Sequence, residues 1–226
     1  MLTAHNLFIK GRHTDLVPPT SLVAPGKTVT LVQADAALTR TALALALTGR
    51  MKPTSGTVTH DHSASPKDLR MHTGLIDAID VNEPESHLKI LDLVNEDLAL
   101  IPGKRRAKLT ATQWLNVNHL QHLEDNWIDQ VNAIDRITLL ANLALTDYAV
   151  DTLVFDTPDR HTPYAEEWLT PLQEFAERDT VVATVLNVPA NFDGPVFYVG
   201  DASAPAEEAT PETSETPETP QSGDAQ

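Results

Sequence analysis

Apolar and polar positions along this chain alternate between a strand-like and a helix-like period. Residues 28–32, TVTLV, form a short β-rich run, and a turn of small residues follows, ADAALTR. Next comes TALALALTGR, apolar on nearly every side, which is the pattern of a buried helix. Gly49 stands where a helix stop belongs, with Pro53 just beyond. Residues 56–59 and 73–76 read as further strands. Leu88, Leu91, Val94 and Leu98 recur at helical spacing, and residues 112–125 and 129–145 also read as helical. Thr152 to Phe155 is a buried strand, Tyr164 to Arg178 a helix, and residues 180–185 and 196–199 close the series as strands. Strands and helices thus alternate at both ends, around a helix-rich stretch of about 60 residues. That arrangement predicts an α/β three-layer domain with a helical insertion.

The last segment is different. Residues 201–226, DASAPAEEATPETSETPETPQSGDAQ, are rich in Pro, Glu and Thr and nearly free of large apolar side chains. Such a segment cannot bury enough surface to offset its chain entropy. It is expected to be a disordered acidic tail, with the folded domain ending near Gly200. The remainder is long enough for one domain, and 41% apolar residues support an ordinary core. No run approaches the roughly 20 apolar residues that span a bilayer. The start, MLTAHNLFIKGR, lacks the pattern of a secretory signal. Together these features lead us to expect a cytoplasmic protein. With no cysteine, disulfides, thiolate metal sites and cysteine nucleophiles are excluded.

Charge narrows the partners. The net charge is −16, and residues 201–226 carry seven acids and no base, which leaves −9 on the rest. A surface of that sign repels nucleic acid, and no basic stripe offsets it. The short cluster Lys104-Arg105-Arg106 with Lys108 reads as a solvated loop or helix start.

A β-run, a small-residue turn and a buried helix opening on Thr have the layout of a phosphate-binding loop. In a working loop, glycines let backbone N–H groups curl around phosphate, a Lys adds charge and a Ser/Thr hydroxyl holds Mg²⁺. Here the window runs from Ala34 to Thr41. Ala34, Ala37 and Thr39 stand where glycine is expected, Arg40 stands where lysine is expected, and only Thr41 matches. A positive φ costs a non-glycine residue roughly 1–2 kcal/mol, and more for β-branched Thr39. The loop therefore either takes a different path or is strained. Arg40 keeps the charge but is longer and planar. The helix start still offers free N–H groups, so weak phosphate affinity could survive. On local pattern alone, an ordinary strand–turn–helix explains the window equally well.

Order and spacing add to this. LTAHNLFIKGRHTDLVPPTSLVAPGKTVTLV leads into the window through Gly26 and Leu31-Val32. LALALTGRMKPTSGTV follows it, with Gly49, Pro53, Gly56 and Val58 at fixed offsets. TLVFDTPDRH lies further on, with Asp156 and Pro158, and then TVVATVLNVP. From about Leu2 to Gly200 this series resembles the nucleotide-binding domains of ABC transporters. The resemblance implies a P-loop NTPase-like three-layer core with an antiparallel β-subdomain and a helical insertion at about residues 80–145. It implies ATP and Mg²⁺ as cofactors, with Arg40, Thr41 and Ala42 at the nucleotide and Thr41 and Asp156 at the metal. A membrane permease subunit or another ABC subunit would be the partner, in a homo- or heterodimer at the inner face of the membrane.

Several family motifs are missing. Asp77 or Ala78 stands in place of the Q-loop glutamine, and Asp129 to Ala133 match none of the LSGGQ signature. Arg136 and the helix ITLLANLAL do match the arginine and apolar helix that come after that signature in the family. Thr157 replaces the glutamate that orients water, and Leu186 replaces the switch histidine. Each lost donor or base typically costs on the order of 10²–10³ in rate. ATP is thus expected to bind weakly or not at all, and no catalytic residue is assigned. The main reading is a non-hydrolysing scaffold or regulatory subunit. The alternative is a working ATPase subunit in an asymmetric pair, and a third is a P-loop-like interaction protein without a membrane partner.

Other residues carry less. His60-Asp61-His62, near His72, read as an exposed hairpin rather than a metal site. His119 and His122 share a helix face beside Glu124 and Asp125, with no further zinc ligand evident. Trp114, Trp127 and Trp168 read as core or interface anchors, and His13 as a loop residue near where the family keeps an adenine-stacking aromatic.

Overall fold

A computed structural model describes residues 1–61 and 63–203. His62 and most of the expected acidic tail, residues 204–226, lie outside the described residues. Before them the chain continues past Gly200: Asp201 O accepts from Ser21 N–H at 2.8 Å and Ala202 O from the Ser21 hydroxyl at 3.2 Å.

Two sheets hold the fold. β1 (Leu2–Lys10), β2 (Asp15–Ala24) and β4 (Ser55–His60) pair antiparallel in the order β2-β1-β4. β3 (Val29–Gln33), β5 (Thr73–Ile76), β6 (Thr152–Asp156), β7 (Thr180–Val185) and β8 (Val196–Tyr198) form a parallel sheet in the order β5-β6-β7-β3-β8. Every residue of β6 and β7 is buried, as expected of parallel strands covered on both faces.

Side-chain alternation along these strands sets the layers. Val32, Val154 and Val182 point to one face, where they join α1 (Ala37–Leu47) and the inner face of the antiparallel sheet. Leu31, Leu153, Phe155, Val181 and Ala183 point to the other, against α5 (Ala133–Leu145), α6 (Ala165–Ala176) and the helical segment. Leu43 and Leu47 of α1 are fully buried, each contributing about 1.5–3 kcal/mol relative to exposure. Gly49 ends α1 with φ +66, while Arg50 N–H bonds Leu45 O and Gly49 N–H bonds Ala46 O. This is a Schellman stop, and it needs the left-handed conformation that glycine adopts without strain.

Between β5 and β6 lie α3 (Ile90–Leu100), α4 (Ala111–Val117), two short 3-10 turns and α5. The helix expected over 112–125 stops early because His119 takes φ 61, a left-handed break that leaves His119 in the turn after α4 and His122 on the following 3-10 turn. Of the span 129–145, residues 128–130 form a 3-10 turn and the helix starts at Ala133, where the Asn132 side chain accepts from Asp135 N–H. Pattern reading passed over α2 (Pro66–His72), which buries only Leu69. Its start was nevertheless signalled by Ser65 as N-cap and Pro66 at the first position. Among the described residues no helix is long and apolar enough to cross a membrane.

Candidate functional site

The window from Ala34 to Thr41 joins the end of β3 to α1. It follows the unstrained path. α1 is already helical at Ala37, and no residue of the window has a positive φ. Ala37, Leu38 and Thr39 all carry a Cβ, and the right-handed helix is where such residues rest. One regular turn therefore stands where a glycine loop would curl. Thr39 and Arg40 direct their N–H groups to Ala36 O at 3.1 and 3.2 Å, so both donors are committed within the helix. Ala42 is 1% exposed and packs into the core beside the antiparallel sheet.

Arg40 turns inward and is buried. Its Nη1 donates to Ala34 O at 2.6 Å and Asp35 O at 2.8 Å, and its Nε donates to the Thr157 hydroxyl at 2.9 Å. The guanidinium thus closes the window from below and ties it to the end of β6.

Asp156, at that end, is 1% exposed. Three threonine hydroxyls converge on its carboxylate. Thr41 donates to Oδ2 at 2.5 Å, and Thr157 and Thr184 donate to Oδ1 at 2.8 and 3.2 Å. Ile79 N–H adds a longer contact to Oδ2 at 3.4 Å. Arg40 supplies positive charge one hydroxyl away, through Thr157. A buried carboxylate needs such a complete set of donors to stay in place. Thr157 has φ 55 and ψ 56, a left-handed conformation that is an outlier for a β-branched residue. Its surroundings over-determine it: its N–H bonds Thr184 O at 2.9 Å, and its hydroxyl serves both Arg40 and Asp156.

A second buried network adjoins the first. Asp77 follows β5, also with positive φ. It receives both forks of Arg136 from α5 at 2.8 Å each, and His161 Nε2 lies 2.8 Å from its Oδ2. Arg160 donates to Asp77 O and to Asp156 O at 2.8 and 2.5 Å, and so joins the two networks. Burial pushes the Asp77 carboxyl up, but hydrogen bonds from Arg136 and His161 and the charges of Arg160 and Arg136 outweigh it and hold it well below the usual carboxylate range. Leu186 is 42% exposed, and its N–H is held by Asp159 Oδ2 at 2.9 Å.

A cavity of about 360 Å³ opens beside Asp77, with Asp97 and Arg105 on its wall. Burial, and then the charge of Glu96, pushes Asp97 up to about 6.

Elsewhere the histidines differ from expectation. His60 is buried, not exposed: its Nε2 lies 2.8 Å from Asp151 Oδ1, and its ring stacks on His72 with centroids 5.2 Å apart. The partner, Asp151, lies 91 residues away, which no local pattern reveals. His122 pairs with Asp135 at 3.1 Å, and His13 is exposed between β1 and β2. Among the described residues no group of three or more His, Asp or Glu is placed to hold a metal ion. Trp114 and Trp168 are core residues, while Trp127 is 40% exposed beneath Lys89 Nζ.

Of the residues singled out in the sequence, the fold brings Arg40, Thr41, Asp156 and Thr157 together. Thr184, Arg160 and His161 join them without having been singled out. Their signal was slight: Thr184 is a polar position near the end of β7, and Arg160 and His161 lie in and just after the 3-10 turn Pro158–Arg160, where no side-chain period marks them.

The sequence matches no family model and no curated protein. Solved structures do match. MJ0796, a bacterial ABC transporter cassette seen as a dimer, is 14% identical, with 88% of this chain and 94% of that chain covered and a TM-score of 0.66. Its post-hydrolysis form bound to ADP and Pi is 16% identical over 89% and 95%, with a TM-score of 0.66. The protein cbiO1 from Clostridium perfringens, part of the ABC transporter complex cbiONQ, is 17% identical over 88% and 84%, with a TM-score of 0.60. The chain therefore has the mixed α/β fold of ABC transporter ATP-binding cassettes.

Proposed function

We propose that this chain is an ATP-binding-cassette subunit that does not hydrolyse ATP and serves as a scaffold or regulator on a membrane partner. One observation carries the reading: the places that a working cassette reserves for phosphate and Mg²⁺ are filled by the chain's own side chains. A working loop offers backbone N–H groups and a free cation to the phosphates. Here the Thr39 and Arg40 N–H groups are bonded to Ala36 O, and the Arg40 guanidinium is held by Ala34, Asp35 and Thr157. A Mg²⁺ ion between Thr41 and Asp156 would have to part a 2.5 Å hydrogen bond, at a carboxylate whose other oxygen is already held by the Thr157 and Thr184 hydroxyls. The residues present do not fit Mg-ATP.

The remaining chemistry agrees. Thr157 has no carboxylate to orient water, and Leu186 has no side-chain donor for a phosphate. The helical segment at about residues 80–145 supplies the docking surface, and Asp77 with Arg136 pins that segment to the sheet rather than leaving it free to follow a nucleotide. The partner is a permease subunit or another ABC subunit, in a homo- or heterodimer at the cytoplasmic face of the membrane.

Calorimetric titration with Mg-ATP, for wild type and Thr41→Ala, tests this. No heat from either protein is expected, together with background phosphate release. Micromolar binding by wild type that is lost in Thr41→Ala would favour a nucleotide-binding member of an asymmetric pair and overturn the reading.

A further inference from the structure

The chain has 32 acidic and 16 basic side chains, yet one of its cavities collects cations alone. This cavity, of about 510 Å³, lies between the end of α1, β4 and α2, with Arg50, Lys52 and Arg70 on its wall and no Asp or Glu. Arg50 Nη1 donates to Thr48 O at 3.1 Å and Thr73 O at 3.3 Å, and Arg70 Nη1 donates to Gly49 O at 2.8 Å. The bonds to Thr48 O and Gly49 O meet the carbonyl end of α1, and the bond to Thr73 O ties Arg50 to β5. They use one nitrogen of each guanidinium. Among the described residues no carboxylate pairs with Arg50, Lys52 or Arg70. Burial, and then the charge of Arg70, pushes the Arg50 guanidinium down from its ordinary value.

Neighbouring like charges without a counter-ion are a cost unless something else meets them. Both arginines also line the cavity that holds Asp77, Asp97 and Asp147, yet among the described residues no carboxylate lies within ion-pairing distance of either. Met51, Pro53 and Leu69 give the cavity apolar walls beside the cations. Its volume suits a small molecule. The geometry points to this cavity as a binding site for an organic carboxylate with an apolar body, the guanidinium groups of Arg50 and Arg70 taking the carboxylate and Met51, Pro53 and Leu69 the body. Planar guanidinium forks match carboxylate geometry, and Lys52 adds attraction at the rim. The site lies at the opposite end of α1 from Thr41, so it is independent of whatever the window 34–41 binds.

Isothermal titration of the full chain with decanoate tests the assignment, with decanol as the body without charge and acetate as the charge without body. Decanoate is expected to saturate a single site, with both controls about tenfold or more weaker. Lys52→Glu and Ala64→Trp, both at exposed positions on the cavity wall, are each expected to weaken decanoate by about tenfold with an unchanged thermal midpoint. The Arg50→Ala/Arg70→Ala double variant, checked for folding by circular dichroism, is expected to lose binding. Decanol binding as well as decanoate, or undiminished binding to the Lys52→Glu and Ala64→Trp variants, would overturn the proposal. Tighter binding by a peptide with the sequence of residues 206–219 would replace the small molecule with an acidic peptide as the ligand.

Discussion

Thr41 donates its hydroxyl to Asp156 at 2.5 Å, across 115 residues of chain. Both side chains are buried, so the bond joins the first turn of α1 to the end of β6 where water cannot substitute for it. The relationship locates the candidate site, where the Thr41 hydroxyl serves the carboxylate.

Thr41→Val keeps the shape of the side chain and removes the donor. Asp156 Oδ2 is then left with the Ile79 N–H at 3.4 Å. A loss of about 1–3 kcal/mol in unfolding free energy is expected by urea denaturation, because a buried acceptor loses its partner. Thr41→Ser, which retains the hydroxyl, should recover most of it. Equal stability of the Val variant and wild type would remove the bond from any structural role.

Restoring the missing carboxylate should not restore hydrolysis. In Thr157→Glu the new carboxylate would stand beside Asp156 and within reach of Arg40, which takes it as a salt-bridge partner. Phosphate release is expected to stay at background, and stability is expected to fall because two carboxylates then share a buried site. Turnover that appears on this single change would refute the view that the loop itself is closed.

Asp77 carries a pH signature. Its folded-state pKa lies below the unfolded one, so the stability it confers is present above the ordinary carboxylate pKa and is lost as pH falls through the depressed value. The difference in unfolding free energy between wild type and Asp77→Asn is expected to be roughly constant from about pH 8 to 5 and to shrink below about pH 4. Arg136→Met at pH 7 should cost about 3–5 kcal/mol, since it leaves the buried carboxylate with Arg160 and His161 alone. A pH-independent difference for Asp77→Asn would refute the assignment.

Asp97 behaves in the opposite sense. Its folded pKa, raised to about 6, exceeds the unfolded value. Its contribution is therefore fully present below about pH 4 and is lost as pH rises through about 6. Asp97→Asn should stabilise the protein at pH 8 by up to about 2–3 kcal/mol relative to its effect at pH 4. Thermal unfolding across that range measures it, and a variant no more stable at pH 8 than wild type would refute the burial argument.

How much of this was legible depended on whether a signal was local. α1 and its Gly49 stop were readable because helical period and stop lie within a dozen residues. β1 was hidden by a change of phase. Leu2 and Ala4 point inward, the register shifts around Asn6, whose φ is 46, and Leu7 and Ile9 then point inward. A period of two broken by a bulge looks like no period at all. β2 was hidden by Pro18 and Pro19, which argue against a strand and are tolerated because β2 is a sheet edge. His60 could not be placed because its partners Asp151 and Thr152 lie on another element.

From residue order alone came the α/β alternation, the helical insertion and a window 34–41 without glycine. Those follow from side-chain period and from the backbone freedom of each residue type, which are properties of neighbours in the chain. Whether the window 34–41 was strained or followed a regular helical path, and what its side chains bond, was decided only by the folded molecule. Arg40, Thr157, Thr184 and Asp156 satisfy one another across three elements. Hydrogen bonds between distant segments depend on which atoms the packing brings within 3 Å or so, and no reading of adjacent residues contains that distance.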